Sequence, residues 1–219
     1  MSTWISDRLA PRLRLCAARG ALLAALLPLA GCLGEESGAL GFLSGGRSEP
    51  VARDVLRKVE LYEGEVVVRG PPGYCIDRKT MRRRETGGFV LLASCEALSG
   101  VRGQEVPPVV MTVSVLPGNG GTPHPGVEDV ARSVSAGAVL GSVERSDMTL
   151  VHLDAGGDQI LPGGDPRHWR GAMVLNGHLV GVALYAPLKS PMAGDKGRAL
   201  LTDLARGLRR ESPVLAPSE

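Results

Sequence analysis

Apolar residues in this chain occur in short runs separated by turns rich in glycine and proline. Runs of β-branched and large apolar residues bounded by such turns are typical of β-strands. They predict strands at residues 65–69, 89–94, 109–116 and 148–154. In the last of these, the period of two places Met148, Leu150 and His152 on one face of the strand.

Residues 167–185 predict a β-hairpin. Asn176 and Gly177 lie between two apolar runs, and this pair suits a type I′ turn because both of its positions require positive φ. A two-residue turn places Leu175 opposite His178 and thereby fixes every later pair. Both faces of the hairpin are largely apolar, so we expect other elements to cover both of them.

Helical periodicity occurs in three segments. Apolar positions spaced as on one helix face predict an amphipathic helix over residues 127–134. A leucine stripe predicts a second helix over residues 195–210. A short third helix is expected at residues 78–85, with Asp77 as its N-cap. The stripe of the second helix comprises Leu200, Leu204 and Leu208.

Strand signals outnumber helical ones, and the helices occur singly. This order predicts one α+β domain over residues 51–212, an antiparallel β-sheet with helices packed on it, followed by a disordered tail at 213–219. The closing hairpin and last helix resemble the topology of the PsbP-like α/β/α sandwiches. Residues 70–77 and 89–95 are similar to segments of an uncharacterised family of Gram-negative envelope proteins, a resemblance that implies no particular activity.

The N-terminus predicts an export signal. Residues 1–20 are polar and basic, and residues 21–30 form an apolar run that is shorter than the roughly 20 residues a membrane-spanning helix needs. The following Leu29, Ala30, Gly31 and Cys32 resemble the lipobox of bacterial lipoproteins. The resemblance implies that residues 1–31 are a signal peptide and that the Cys32 thiol carries a lipid. An ordinary secretory signal with a chance cysteine is the alternative.

The same resemblance implies a location at the periplasmic face of the cell envelope. Acyl chains, palmitate among them, would anchor the protein, because each buried CH₂ contributes about 0.8 kcal/mol. Leu33 stands where many inner-membrane lipoproteins have aspartate, which favours the outer membrane. Residues 32–50 are rich in glycine and serine and predict a flexible tether.

The charge balance argues against a nucleic-acid partner. The 219 residues include 25 basic and 23 acidic side chains, and residues 1–31 hold four arginines and one aspartate, which leaves 21 basic and 22 acidic groups. A general nucleic-acid binder needs a cationic surface. Five basic residues within 78–84 either contact the phosphates of lipid headgroups or envelope polysaccharide, or form a solvated turn.

Two cysteines remain once Cys16 is removed with the signal and Cys32 is lipidated. In an oxidising compartment, Cys75 and Cys95 are most simply a disulfide. A redox or nucleophilic role is the alternative, but no C-x-x-C motif is present and neither cysteine has a histidine beside it in the sequence.

Motifs for hydrolases, kinases and nucleotide binding are missing. The leading interpretation is therefore a non-catalytic binding or assembly-support module without a cofactor, whose partner is an envelope protein or polysaccharide. The alternative is a metal-dependent binder or enzyme, since carboxylates and imidazoles bind divalent cations. Aspartate beside glycine or proline is also ordinary turn chemistry. The candidate ligands are His152, Asp154, Asp158, Asp165 and His168.

Overall fold

The computed structural model describes residues 55–118, 121–133 and 137–215. The predicted signal peptide at 1–31, Cys32 and the tether at 32–50 lie outside the described residues, as do residues 216–219 of the predicted tail. The strands are β1 Lys58–Leu61, β2 Val66–Arg69, β3 Tyr74–Ile76, β4 Arg82–Arg84, β5 Gly87–Ser94, β6 Val110–Leu116, β7 Val139–Arg145, β8 Met148–Leu153, β9 His168–Leu175 and β10 His178–Tyr185. The α-helices are α1 Cys95–Ser99, α2 Val127–Arg132, α3 Gly157–Ile160 and α4 Asp195–Glu211, with 3-10 turns at Tyr62–Gly64 and Pro191–Ala193.

Eight of these strands form one sheet in the order β3-β5-β6-β10-β9-β8-β7, with β4 also paired to β5. β1 and β2 form a separate hairpin. Every strand pair among the described residues is antiparallel. The predicted α+β class, an antiparallel sheet with helices packed on it, is confirmed. None of the helices in the described ranges is long and apolar enough to span a membrane.

The core lies between one face of the sheet, here the core face, and the layer formed by α4 and the β1–β2 hairpin. Helix α4 contacts β2, β9 and β10. Leu204 and Leu208 are fully buried, as the leucine stripe predicts. Leu200 is only half-buried, and Leu201 holds the buried position one residue later. The buried face of α4 is therefore rotated slightly from the predicted one, towards Leu201.

The hairpin of β9 and β10 is confirmed residue by residue. Leu175 pairs with His178, and the register continues to Trp169 and Leu184 without a break. Asn176 has φ 52° and Gly177 has φ 78°, the left-handed conformation that a type I′ turn requires. The turn is also held from outside, because the Asn176 side chain donates hydrogen bonds to the carbonyls of residues 65 and 213, at 2.7 and 2.9 Å.

The helix expected at residues 78–85 is wrong. Arg82–Arg84 form β4, with Arg82 opposite Phe89 of β5. Asp77 is not an N-cap; its carboxylate accepts the backbone N–H of Lys79 at 3.0 Å, inside a turn. The edge of β5 offers hydrogen-bond partners to the backbone of this segment, and pairing with that edge replaces the helical turn.

The disulfide expected between Cys75 and Cys95 is present, with the two Cα atoms 4.8 Å apart. It joins β3 to the first residue of α1. Ser94 caps that helix by accepting the N–H of Ala97 at 3.0 Å. The bond therefore fixes β3 and α1 to the same end of β5.

The second face of the sheet, here the outer face, is covered over only part of its area. Three apolar residues of the α2 segment pack on Val151, Leu153 and Ala172 of β8 and β9. Further along, Leu179 and Gly181 of β10 remain half-buried. The expectation that both faces of the hairpin are covered holds fully on the core face and only in part on the outer face.

Candidate ligand-binding groove

An open groove of about 680 Å³ occupies the uncovered part of the outer face. Its floor comes from alternate residues of adjacent strands, since side chains two positions apart share a face of the sheet. The volume lies within the range of small-molecule sites, about 300–1,000 Å³. The floor includes Phe89 of β5, Thr112 and Ser114 of β6, and Leu179, Gly181 and Ala183 of β10.

The groove exists because the side chains at the centre of its floor are short and the covering helix ends early. Ser114 and Gly181 face each other across β6 and β10, so no large side chain fills the space above them. At about 1.5 Å per residue, the six residues of α2 span roughly 9 Å. That length covers β8 and β9 and leaves β5, β6 and most of β10 open.

The wall on the α2 side is held by hydrogen bonds. Thr122 donates its hydroxyl to the carbonyl of Gly177 at 3.0 Å, which ties the preceding loop to the hairpin turn. Thr149 donates to the carbonyl of Pro125 at 2.7 Å, and His124 lies 3.2 Å from the same hydroxyl. These contacts place Pro125 and neighbouring Pro123 along the groove.

Two charged residues line the groove, and their surroundings differ. The Asp129 carboxylate accepts from the N–H of Gly126 at 3.1 Å and from Arg132 at 3.2 Å. Arg170 of β9 donates one hydrogen bond, at 3.1 Å, to the hydroxyl of Tyr185, and its Nε is buried without an acceptor. No carboxylate in the described residues pairs with it. Within the described part of the chain, the groove thus carries one cation without a neutralising partner.

Tyr185 is itself supported from β9. The His168 ring stacks on it with the ring centroids 5.3 Å apart. Burial lowers the pKa of His168, because removal from water disfavours the charged imidazolium. A neutral, buried imidazole therefore holds the tyrosine ring in position beside Arg170.

The predicted metal ligands are not brought together. His152 lies on the core face and stacks on Trp169, with the ring centroids 4.5 Å apart, whereas His168 lies on the outer face. Burial lowers the pKa of His152 as well. Asp158 is exposed on α3. The described residues contain no group of three or more histidines, cysteines or carboxylates placed to hold a metal ion.

The other two candidates hold loops in place. Asp165 is buried and accepts from the Nε of Arg167 at 2.9 Å and from the backbone N–H of Lys189 at 3.0 Å. The hydrogen bonds from Arg167 are the main reason why the pKa of Asp165 falls to about 2. Asp154 accepts the N–H of Ala138 at 2.7 Å. Asp165 therefore acts as a turn residue, the alternative that its glycine and proline neighbours suggested, and Asp154 holds the segment that leads into β7.

The sequence favours a core role for Trp169 and Tyr185, with the floor of a ligand groove as the alternative. Both are buried, and Tyr185 also lines the groove, whereas Trp169 does not.

A further signal for the groove was present in the hairpin, where the apolar side that carries Gly181 and Ala183 has smaller residues than the side that carries Val180 and Val182. Small apolar side chains on one side of a strand suit either close packing or a ligand. The point at which α2 ends decides between close packing and a ligand site. The ends of helices cannot be predicted from sequence to within one or two residues.

Comparisons with known proteins give a distant structural likeness. No protein-family model matches the chain, and no curated protein matches it. A solved structure of a mutant of protein Mog1 is similar over 72% of this chain and 94% of its own, at 14% identity and a TM-score of 0.43. The Saccharomyces cerevisiae Ran-binding protein Mog1p has the same coverage, with 15% identity and a TM-score of 0.42. At these values the likeness carries no argument about function.

Proposed function

We propose that this protein is a lipid-anchored component of the bacterial cell envelope whose folded domain is a non-catalytic binding module. Its groove takes an elongated apolar ligand. The anchor is the lipidated Cys32, at the periplasmic face and in the outer rather than the inner membrane. The single observation that carries the binding role is the open apolar groove on the outer face of the sheet.

The proposed anchor is supported by the sequence of residues 21–32. A short apolar run followed directly by Leu29, Ala30, Gly31 and Cys32 resembles a lipoprotein signal. Radiolabelled palmitate should be incorporated into the wild-type chain and not into Cys32→Ala. Equal labelling of both chains would contradict the anchor and leave the groove untouched.

A binding role is supported by the composition of the groove. Small sites are typically concave and mostly apolar, with a few placed polar groups. The lining here is mostly apolar, with threonine, serine, tyrosine and arginine as its main polar groups. Serine and aspartate can act as nucleophile or base, but Asp129 is held by Gly126 and Arg132. The described residues of the lining include no histidine or lysine that could activate Ser114. Binding without catalysis is the function that fits this lining best.

The groove is tested by filling it. A Cβ at Gly181 would meet only the carbonyl oxygens of Ser114 and Gly171, at 3.9 and 4.0 Å, so Gly181→Val projects into the groove without a clash. Gly141→Val is the matched control, because a Cβ there meets nothing within 4 Å and the residue lies in β7, away from the groove.

The measurement uses the full lipidated protein in phosphatidylcholine vesicles and a hexadecanol that carries a photoreactive diazirine. Peptide mass spectrometry should locate the label on β6 and β10 in the wild type and in Gly141→Val. Gly181→Val should lose that label. Equal labelling of β6 and β10 in all three proteins, or no label there in any, would overturn the binding role of the groove.

A further inference from the structure

We propose that the ligand of this groove is a single-chain amphiphile with a carboxylate head, bound with its chain along the floor and its carboxylate on Arg170 and Tyr185. The inference rests on the proposed function, because it names the ligand class of the same groove. It follows from the one unneutralised charge in the lining and from the shape of the floor.

The Arg170 guanidinium has fewer hydrogen-bond acceptors than donors. A guanidinium has five N–H donors, and among the described residues only the Tyr185 hydroxyl accepts from it. Its Nε is buried without an acceptor, which is unfavourable for a donor removed from water. An anion in the groove would give the Nη groups further acceptors, and a carboxylate fits best because its two oxygens match the planar fork of arginine.

Tyr185 completes the head-group site. Its oxygen accepts from Arg170, which leaves its own hydroxyl hydrogen free to donate to the second oxygen of a carboxylate. Arg170 lies opposite Ala183 in the β9–β10 register, so the arginine and the tyrosine come from neighbouring positions of adjacent strands. The stack with His168 restrains the tyrosine ring. Two donors are therefore arranged before any ligand arrives, which reduces the ordering cost of binding.

The remaining lining accepts a hydrocarbon chain. Gly181 and Ala183 of β10 and Ser114 of β6 keep the floor low, while Phe89 and the prolines of the α2 side border it. At about 680 Å³ the groove is the size of a site for one small ligand. An amphiphile with one chain would bury that chain here and keep only its head beside a charge.

Charge on the same face favours an anion over a neutral or cationic head. Arg82 pairs with Phe89 and Arg84 with Gly87, so both arginines lie on the face that carries the groove, and both are exposed. The groove's own acid, Asp129, is already held by Arg132 and Gly126. The β4 arginines therefore add positive charge at the Phe89 side of the groove, whereas Glu144 of β7 lies beside the start of α2. Positive charge near a site raises the local concentration of anions.

The test compares two photoreactive probes that differ only in their heads, diazirine-bearing palmitate and the matching hexadecanol, on the full lipidated protein in phosphatidylcholine vesicles. The wild type should label β6 and β10 at a palmitate concentration about tenfold below that needed for the alcohol. Arg170→Gln and Tyr185→Phe should each reduce this preference, the first to near unity. Arg84→Gln is the matched control, since it removes a positive charge from the same face outside the groove, and it should keep the preference.

Each outcome is decisive. Equal labelling by acid and alcohol in the wild type, or an unchanged preference in Arg170→Gln, overturns the carboxylate assignment while the groove remains a binding site. An equal loss of preference in Arg84→Gln also overturns it, because a diffuse surface charge would then explain the selection. No labelling of β6 and β10 by either probe instead refutes the proposed function. Thermal unfolding of each variant beside the wild type shows whether the variant is folded. If Arg170→Gln does not fold, Tyr185→Phe, which keeps the aromatic ring, tests the carboxylate site in its place.

Discussion

At Gly197, in the first turn of α4, the helix packs so closely on its neighbours that a side chain has no room. A Cβ at this position would overlap the backbone carbonyl oxygen of Met192 and lie 2.9 Å from a methyl carbon of Leu184. Gly207, further along the same helix, is also buried, but a Cβ there would only reach the carbonyl oxygen of Arg69 at 3.9 Å. The two glycines provide a matched pair within one helix.

The two substitutions should change the free energy of unfolding in opposite directions. Replacing glycine by alanine within a helix gains about 1 kcal/mol of helix propensity, and Gly207→Ala should keep that gain because the added methyl group meets ordinary van der Waals contacts. At Gly197 the obstacle is mainly backbone, which cannot rotate aside as a side chain can. Overpacking costs about 1–3 kcal/mol, and the overlap with backbone places Gly197→Ala in the upper part of that range, about 2–3 kcal/mol. Gly197→Ala should therefore lose about 1–2 kcal/mol net.

Urea and thermal unfolding followed by circular dichroism measure both variants. For a chain of this size, 1 kcal/mol corresponds to about 2–4 °C in Tm. Gly207→Ala should raise Tm by that amount, and Gly197→Ala should lower it by one to two times as much. A Gly197→Ala protein as stable as Gly207→Ala would refute the close approach of α4 to residues 191–193.

Three further predictions concern the disulfide, a buried histidine and the hairpin turn. Replacing both Cys75 and Cys95 by alanine should cost about 3 kcal/mol in urea unfolding, since the bond closes a loop with a sequence separation of 20 residues; a loss below about 1 kcal/mol would contradict this. Because burial lowers the pKa of His168, its unfolded form binds more protons, so its contribution to stability is complete above about pH 6.5 and declines as the pH falls, by at most about 1.4 kcal/mol per pH unit. His168→Phe should flatten the fall in Tm between pH 7 and 5, and an unchanged slope would show that the histidine is not buried in its neutral form. Asn176→Ala should lose about 1–3 kcal/mol, because it removes two hydrogen bonds and leaves alanine at positive φ; Asn176→Gly, which removes only the hydrogen bonds, should lose less, and the reverse order would contradict the role of the turn conformation.

The parts of the fold that sequence predicts are those where local and tertiary forces agree. At Asn176 and Gly177, the turn chemistry, the apolar runs and the register all point to one hairpin, and the structure has it. α4 has a sustained apolar stripe and basic residues in its last turn, so its bounds are nearly as predicted. In both cases the information lies within about twenty residues of sequence.

The missed elements depend on partners distant in sequence. β1 and β7 were not predicted, and much of β7 is exposed, so it shows no clear alternation of buried and exposed residues. β4 consists of three exposed arginines, and its conformation is set by the edge of β5 rather than by its own sequence.

The candidate site was harder still to predict. Arg170, the cation of the groove, lies in a strand that the sequence predicts correctly. Whether a carboxylate pairs with Arg170 depends on the tertiary positions of the acidic residues, which the sequence does not give. His152 and His168 are close in sequence and yet lie on opposite faces of the sheet. His152 of β8 pairs with Trp169 of β9, and the period of two puts the neighbouring His168 on the other face. Proximity in sequence suggested a shared metal site, whereas strand geometry separates the two rings.

The two edges of the sheet influence whether copies of the protein associate at high concentration. At one end, a backbone bridge between Leu56 and Ile76 shields β3, and β4 presents its row of arginines. At the other end, the pairing of β7 shifts register between Val139 and Gly141. Like charges and irregular strands both oppose the docking of one sheet against another. Copies crowded together should therefore resist polymerising into continuous sheets or fibrils.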